Sequence, residues 1–206
     1  MLRLFLLVAS LFSFQALAHF SVLDTADIID SKHYRLQLEP QIISGNTSGT
    51  NLLARFDLGL TEDSGLKAII GGGALNLQAG AFYKWGPIPD TESQPAMALT
   101  LGLAYANNGG TDLVSARIYP IVSKKFDWEL GVAKPYASLP LSVAGQNGKS
   151  LFPVQLALGT ELQFPEAKDL NFYIELGIDI KDAFNYISLG VSAFLDESGH
   201  LVWTKN

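Results

Sequence analysis

The 206-residue chain has no cysteine. That excludes a disulfide framework, a thiolate metal site and a lipidated cysteine anchor, so the protein folds by burial and hydrogen bonding alone. Charge is scarce as well. Charged residues make up 17% of the chain, against about 25% for ordinary soluble domains. Lys and Arg number 14 against 20 Asp and Glu, which leaves no basic footprint, and nucleic acid is not an expected partner. Long hydrophobic runs are missing after residue 18, each being broken by Gly, Pro, Asn, Gln or a charge. No later segment can therefore cross a bilayer as a helix, which takes about 20 apolar residues. Gly71-Gly72-Gly73 is followed by neither a Gly-Lys-Ser/Thr sequence nor a helix, so it is no phosphate cradle. No linker, charge run or low-complexity tract divides the chain, and one domain is expected.

What is present begins with a leader. Arg3 precedes an apolar run from Leu4 to Phe14, and Ala16-Leu17-Ala18 supplies the small-x-small pattern of a cleavage site. Residues 1–18 read as a secretory signal peptide, and cleavage would make His19 the first residue. Loss of Arg3 takes the net charge from −6 to −7.

The remainder is a succession of period-two segments. In 34–42, Tyr34, Leu36, Leu38, Pro40 and Ile42 alternate with Arg35, Gln37, Glu39 and Gln41. In 51–60, Leu52, Ala54, Phe56, Leu58 and Leu60 alternate with Arg55, Asp57 and Gly59. In 170–181, Leu170, Phe172, Ile174, Leu176, Ile178 and Ile180 share one parity. Strand geometry sends alternate side chains to opposite faces, and helical spacing is absent. Further strands are expected at 66–71, 75–85, 95–106, 112–123, 133–143, 152–164 and 185–195. Turn chemistry such as Asn107-Asn108-Gly109-Gly110 and Gln146-Asn147-Gly148 separates them. Connections this short imply an antiparallel meander. At Gly71-Gly72-Gly73 a tight turn gives ten strands and a bulge gives nine. The even count of single-chain bacterial barrels favours the turn. Residues 19–32 read as a periplasmic lead-in, 33–195 as the β-barrel and 196–206 as a polar tail.

Composition assigns the faces. The polar parity carries Ala98, Thr100, Gly102 and Ala104 in one strand and Ser188, Gly190 and Ser192 in another. Small residues of this kind suit the crowded inside of a narrow closed barrel better than a solvated surface. The other parity is almost purely apolar, as a lipid face requires. Tyr83, Trp85, Tyr105, Phe126, Trp128, Phe152 and Phe164 fall near strand ends, where a bilayer meets water.

On these residues the sequence resembles the small outer-membrane β-barrel proteins of Gram-negative bacteria, over roughly 33–195. Tyr186-Ile-Ser-Leu-Gly-Val-Ser-Ala-Phe194 is similar to the terminal strand that such proteins present to the β-barrel assembly machinery, although family members usually end on that aromatic and this chain continues. The resemblance implies an all-β, up-and-down transmembrane barrel in the outer membrane. Its partners would be outer-membrane lipid and, during biogenesis, the assembly machinery.

The polar parity collects Arg35, Glu39, Arg55, Asp57, Lys67, Lys84, Arg117, Lys134, Glu161, Glu175 and Asp179. Buried charges must be paired or wetted, so these residues read as a lumenal charge network. The functional expectation is a structural envelope role, or a narrow pore lined by paired charges. Ten strands enclose little space, and no loop is long enough to plug a large lumen. Pairing 34–42 with 51–60 across the 44–50 turn places Glu39 near Arg55 and Gln37 near Asp57, to within a couple of residues. The alternative is a soluble periplasmic barrel with the faces reversed, binding an apolar or lipid ligand inside. No enzyme activity, cofactor or metal is expected. His19 could chelate copper as a first residue only with His33 or His200, neither of which lies in a ligand motif. No histidine lies mid-strand beside a serine, as a hydrolase would need.

Overall fold

The computed structural model describes residues 20–45, 48–146 and 148–202. The signal-peptide reading of 1–18, the copper reading of His19, and Trp203 in the tail fall outside the described residues. Among the described residues thirteen strands are formed: β1 (Tyr34–Ser44), β2 (Gly49–Thr61), β3 (Ser64–Gly73), β4 (Leu77–Ile88), β5 (Ala96–Asn108), β6 (Thr111–Ser123), β7 (Phe126–Trp128), β8 (Gly131–Ser138), β9 (Leu141–Gln146), β10 (Lys149–Leu151), β11 (Val154–Gln163), β12 (Leu170–Lys181) and β13 (Asn185–Leu195).

They make ten staves of one antiparallel sheet. β7 extends β6 against β8. β8 and β9 form one stave interrupted at Leu139-Pro140, and β10 and β11 form the next, interrupted at Phe152-Pro153. Proline has no N–H for the ladder, and here the two breaks face each other. Ser142 N–H donates to Pro153 O at 3.0 Å and Gln155 N–H to Pro140 O at 3.1 Å, so each proline still accepts. β13 pairs back onto β1, with Leu36 opposite Ala193, and the sheet closes. Closure removes the exposed edges that an open sheet would carry.

The turn at Gly71–Gly73 is present: β3 ends at Gly73, whose φ of +140° favours glycine, and β4 starts at Leu77. Leu75, expected on the outer face of a strand at 75–85, is instead fully buried in this turn, where its N–H donates to Asn51 Oδ1 at 3.0 Å.

The apolar parity points outward. Leu38, Leu52, Ile70, Leu103, Ile174 and Leu189 are all exposed, while the opposite parity carries almost every buried polar side chain. This is the reverse of the soluble alternative, in which the apolar parity would line the inside. Trp85, Phe126 and Trp128 are exposed at the end where the chain enters, and Phe152 at the other. At that opposite end β5–β6 and β12–β13 are joined by two and three residues, while 89–95 and 124–130 make longer connections at the entry end.

Candidate functional site: a lumen occupied by the N-terminal segment

Residues 20–32 do not lie ahead of the barrel as a periplasmic lead-in. Phe20 to Ala26 are buried inside it. The chain passes the rim where Lys32 N–H bonds Gly59 O, and its preceding residues run to mid-lumen. The lead-in reading is therefore corrected for residues 20–32: the lumen is plugged by this N-terminal segment, not by a loop. Full burial of Phe20, Val22 and Leu23 contributes about 1.5–3 kcal/mol each.

Asp24 is the hub of the entry half. Its Oδ1 lies 2.8 Å from Arg35 Nη2, and its Oδ2 lies 2.9 Å from Lys67 Nζ and 2.8 Å from Lys84 Nζ. Arg35 Nε also donates to Asp57 Oδ2 at 2.6 Å, and Lys67 Nζ lies 3.0 Å from Asp57 Oδ1. Lys84 Nζ goes on to Thr25 O at 2.7 Å and Asp27 O at 2.6 Å. Lys134 pairs with Asp27 at 2.7 Å and lies 3.7 Å from Glu161. Glu161 is held by Asn171, Gln163 and the Tyr173 hydroxyl.

At mid-lumen Arg55 Nε donates to Glu39 Oε2 at 2.7 Å, so the expected pair forms. The register that brings it about differs by two residues. Arg35 faces Asp57 and Gln37 faces Arg55, so Glu39 meets Arg55 diagonally and Asp57 serves Arg35 rather than Gln37. The same guanidinium donates to Ser21 O at 3.0 Å and Val22 O at 3.1 Å, and the Ser21 hydroxyl donates to Glu39. Glu175 accepts from the consecutive amides of Val22 (2.8 Å) and Leu23 (2.6 Å) and from the hydroxyls of Tyr136 (2.7 Å) and Tyr186 (2.5 Å).

Two wall glycines make that cluster possible. A Cβ at Gly159 would lie 2.4 Å from the Tyr136 hydroxyl oxygen, and one at Gly177 would lie 1.9 Å from the Tyr186 ring. Without side chains there, both rings lie against the wall and deliver their hydroxyls to Glu175.

Wall side chains thus engage much of the plug's polar backbone, including Ala26 N–H to Ser123 Oγ at 2.9 Å and Gln37 Nε2 to Leu23 O at 3.4 Å. Charge is matched too. The wall buries six cations, Arg35, Arg55, Lys67, Lys84, Arg117 and Lys134, against four carboxylates, Glu39, Asp57, Glu161 and Glu175. Asp24 and Asp27 of the plug make up the difference. Beyond the plug, Ile43, Leu75, Leu113, Leu151 and Phe184 form an apolar cap at the opposite end. Asn51 and Gln155 fasten it, the latter through Phe184 O at 2.8 Å.

Ten of the eleven sequence-derived lumen residues are buried in the barrel. Asp179 is not: it is exposed where β12 runs past the lumen to the β12–β13 turn, and it accepts from Ala183 N–H at 3.0 Å. Asp24 was missed because its segment has no parity to read. Phe194, in the terminal strand, faces inward with Arg35 6.0 Å over its ring. A cavity of about 670 Å³ forms an open vestibule at the entry end, lined by Asp27, Asp90, Lys124 and Lys134 among others. Among the described residues no three His, Cys, Asp or Glu side chains form a group that could hold a metal ion.

No protein-family model and no curated protein matches the sequence. Solved structures similar to the chain are β-barrels. A de novo designed transmembrane β-barrel is 9% identical, with 82% of this chain and 99% of that chain covered, at a TM-score of 0.41. The β domain of the Bordetella autotransporter BrkA is 13% identical, with 79% and 96% covered, at 0.47. OmpT, an outer membrane protein of Vibrio cholerae, is 11% identical, with 79% and 98% covered, at 0.32.

Proposed function

We propose that this protein is an outer-membrane β-barrel sealed by its own N-terminal segment, with a structural role in the cell envelope. The observation that carries this reading is the buried hub at Asp24, where three wall cations converge on a residue of the plug. The exterior belt of Leu, Ile and Val calls for lipid as its solvent. The polar lumen needs no solvent path, because its charges other than Arg117 are engaged with one another and with residues 20–27.

Export would follow from the leader at 1–18. Cleavage after Ala18 leaves a single residue ahead of Phe20, which suits a chain that ends inside the barrel. Outer-membrane lipid is the standing partner in this reading, and β13 is the strand offered to the assembly machinery. A narrow pore lined by charges is a state that the resting arrangement does not supply, since both the plug and the apolar cap would have to move.

Two measurements test the proposal. The mature protein should fractionate with outer membranes and need detergent for release, and recovery in the soluble periplasmic fraction would overturn the location. Refolded protein in a planar bilayer should be electrically silent, whereas steady single-channel conductance at modest voltage would overturn the sealed lumen.

A further inference from the structure

Five of the six wall cations have a carboxylate partner: Arg35, Lys67 and Lys84 share Asp24, Arg55 takes Glu39, and Lys134 takes Asp27 and Glu161. Arg117 has none among the described residues, although its side chain is buried. Its Nε and Nη2 have no hydrogen-bond partner. The guanidinium lies against two rings, 5.4 Å over Tyr119 and 6.0 Å over Phe20 at the tip of the plug. Glu175, the one wall carboxylate without a cation, does not answer it, because two hydroxyls and two amides already fill its two oxygens.

The neighbours of Arg117 supply more unused donors. Ser142 sits directly opposite it on β9, and Thr100 lies opposite Tyr119 on β5. The hydroxyls of both are buried and without partners. Ser142, directly across from Arg117, is about 5 Å away at Cβ, within reach of one small shared ligand, whereas Thr100 is a diagonal neighbour on the other side of β6. A buried, unpaired guanidinium is costly, and ring faces offset only part of that cost.

We propose that Arg117, with the Ser142 hydroxyl, holds a small monovalent anion, a halide or a formate-sized carboxylate, between the plug tip and the apolar cap. Water could satisfy the N–H groups, but only an anion also sets an opposite charge against the guanidinium itself. The plug and cap enclose the position, so the ion is captured from solution as the barrel closes.

The test is refolding of the full chain in sodium chloride, sodium bromide or sodium gluconate at equal ionic strength. The thermal midpoint should be several degrees higher in chloride and bromide than in gluconate, and Arg117→Met should abolish that difference. Equal midpoints for wild type in all three salts would overturn the proposal, and so would a difference that persists in Arg117→Met. If Arg117→Met does not fold, anomalous diffraction from wild-type crystals grown in bromide decides. A peak within contact distance of the guanidinium supports the site, and a peak-free position holding only water overturns it.

Discussion

Asp24→Asn keeps the shape of the side chain and removes its charge, so its effect isolates the electrostatic hub of the plug. Arg35 and Lys67 would fall back on Asp57, but Lys84 would keep only the carbonyls of Thr25 and Asp27. Removing one partner of a buried ion pair costs about 3–5 kcal/mol, because a lone buried charge remains. Asp27→Asn is the contrast. That carboxylate is one-third exposed, and its partner Lys134 keeps Glu161, so its loss should cost under about 1 kcal/mol. The assay is denaturant unfolding of the refolded barrel in micelles, followed by tryptophan fluorescence. With a slope of about 2 kcal/mol per molar urea, the Asp24→Asn midpoint should fall by about 1.5–2.5 M. Adding Lys84→Met to Asp24→Asn should recover part of the loss by removing the stranded cation. An Asp24→Asn midpoint indistinguishable from that of Asp27→Asn would refute the hub.

Glu39→Gln and Arg55→Met should each destabilise more than the double variant does, since the pair is fully buried; additive losses in a double-mutant cycle would contradict the contact. Leu101 is 46% exposed on the outer face of β5, and Leu101→Arg should cost about 2–4 kcal/mol on folding into vesicles if it lies near the bilayer midplane. In the entry-end loop, burial tends to raise the Asp90 carboxyl, but bonds from Lys124 Nζ (2.6 Å) and Lys125 N–H (2.7 Å) outweigh it and hold it below the ordinary range. A depressed carboxyl stabilises above its unfolded pKa of about 3.9 and loses that contribution as pH falls through the folded value. Protease access to 89–95 should therefore rise below about pH 4, and Asp90→Asn should flatten that pH dependence.

The strands were legible because a wall with a wet or crowded face and a lipid face prints a period of two on the chain. Arg35, Glu39, Arg55 and Glu175 could be placed inside from parity alone. Parity fails past the end of the lumen, and so Asp179 was placed with them although it clears the rim. It fails again for residues 20–26, which are surrounded on every side and so show neither alternation nor helical spacing. One signal did point to them. Once Asp179 is taken out, the wall's six cations face four carboxylates, and Asp24 and Asp27 sit in the segment that no strand had claimed. The diagonal Glu39–Arg55 contact shows a further limit, since a long side chain reaches its partner in more than one register.

The sealed lumen is tested most directly by the accessibility of its plug. The chain has no cysteine, so Ser21→Cys gives a single thiol at a position buried beside Glu39 and Arg55, and His200→Cys gives a single thiol on the exposed tail. In the folded protein a water-soluble maleimide should label His200→Cys to completion and leave Ser21→Cys unmodified until denaturant is added. Equal, rapid labelling of both in the folded state would show that residues 20–27 lie outside the barrel and would contradict the account.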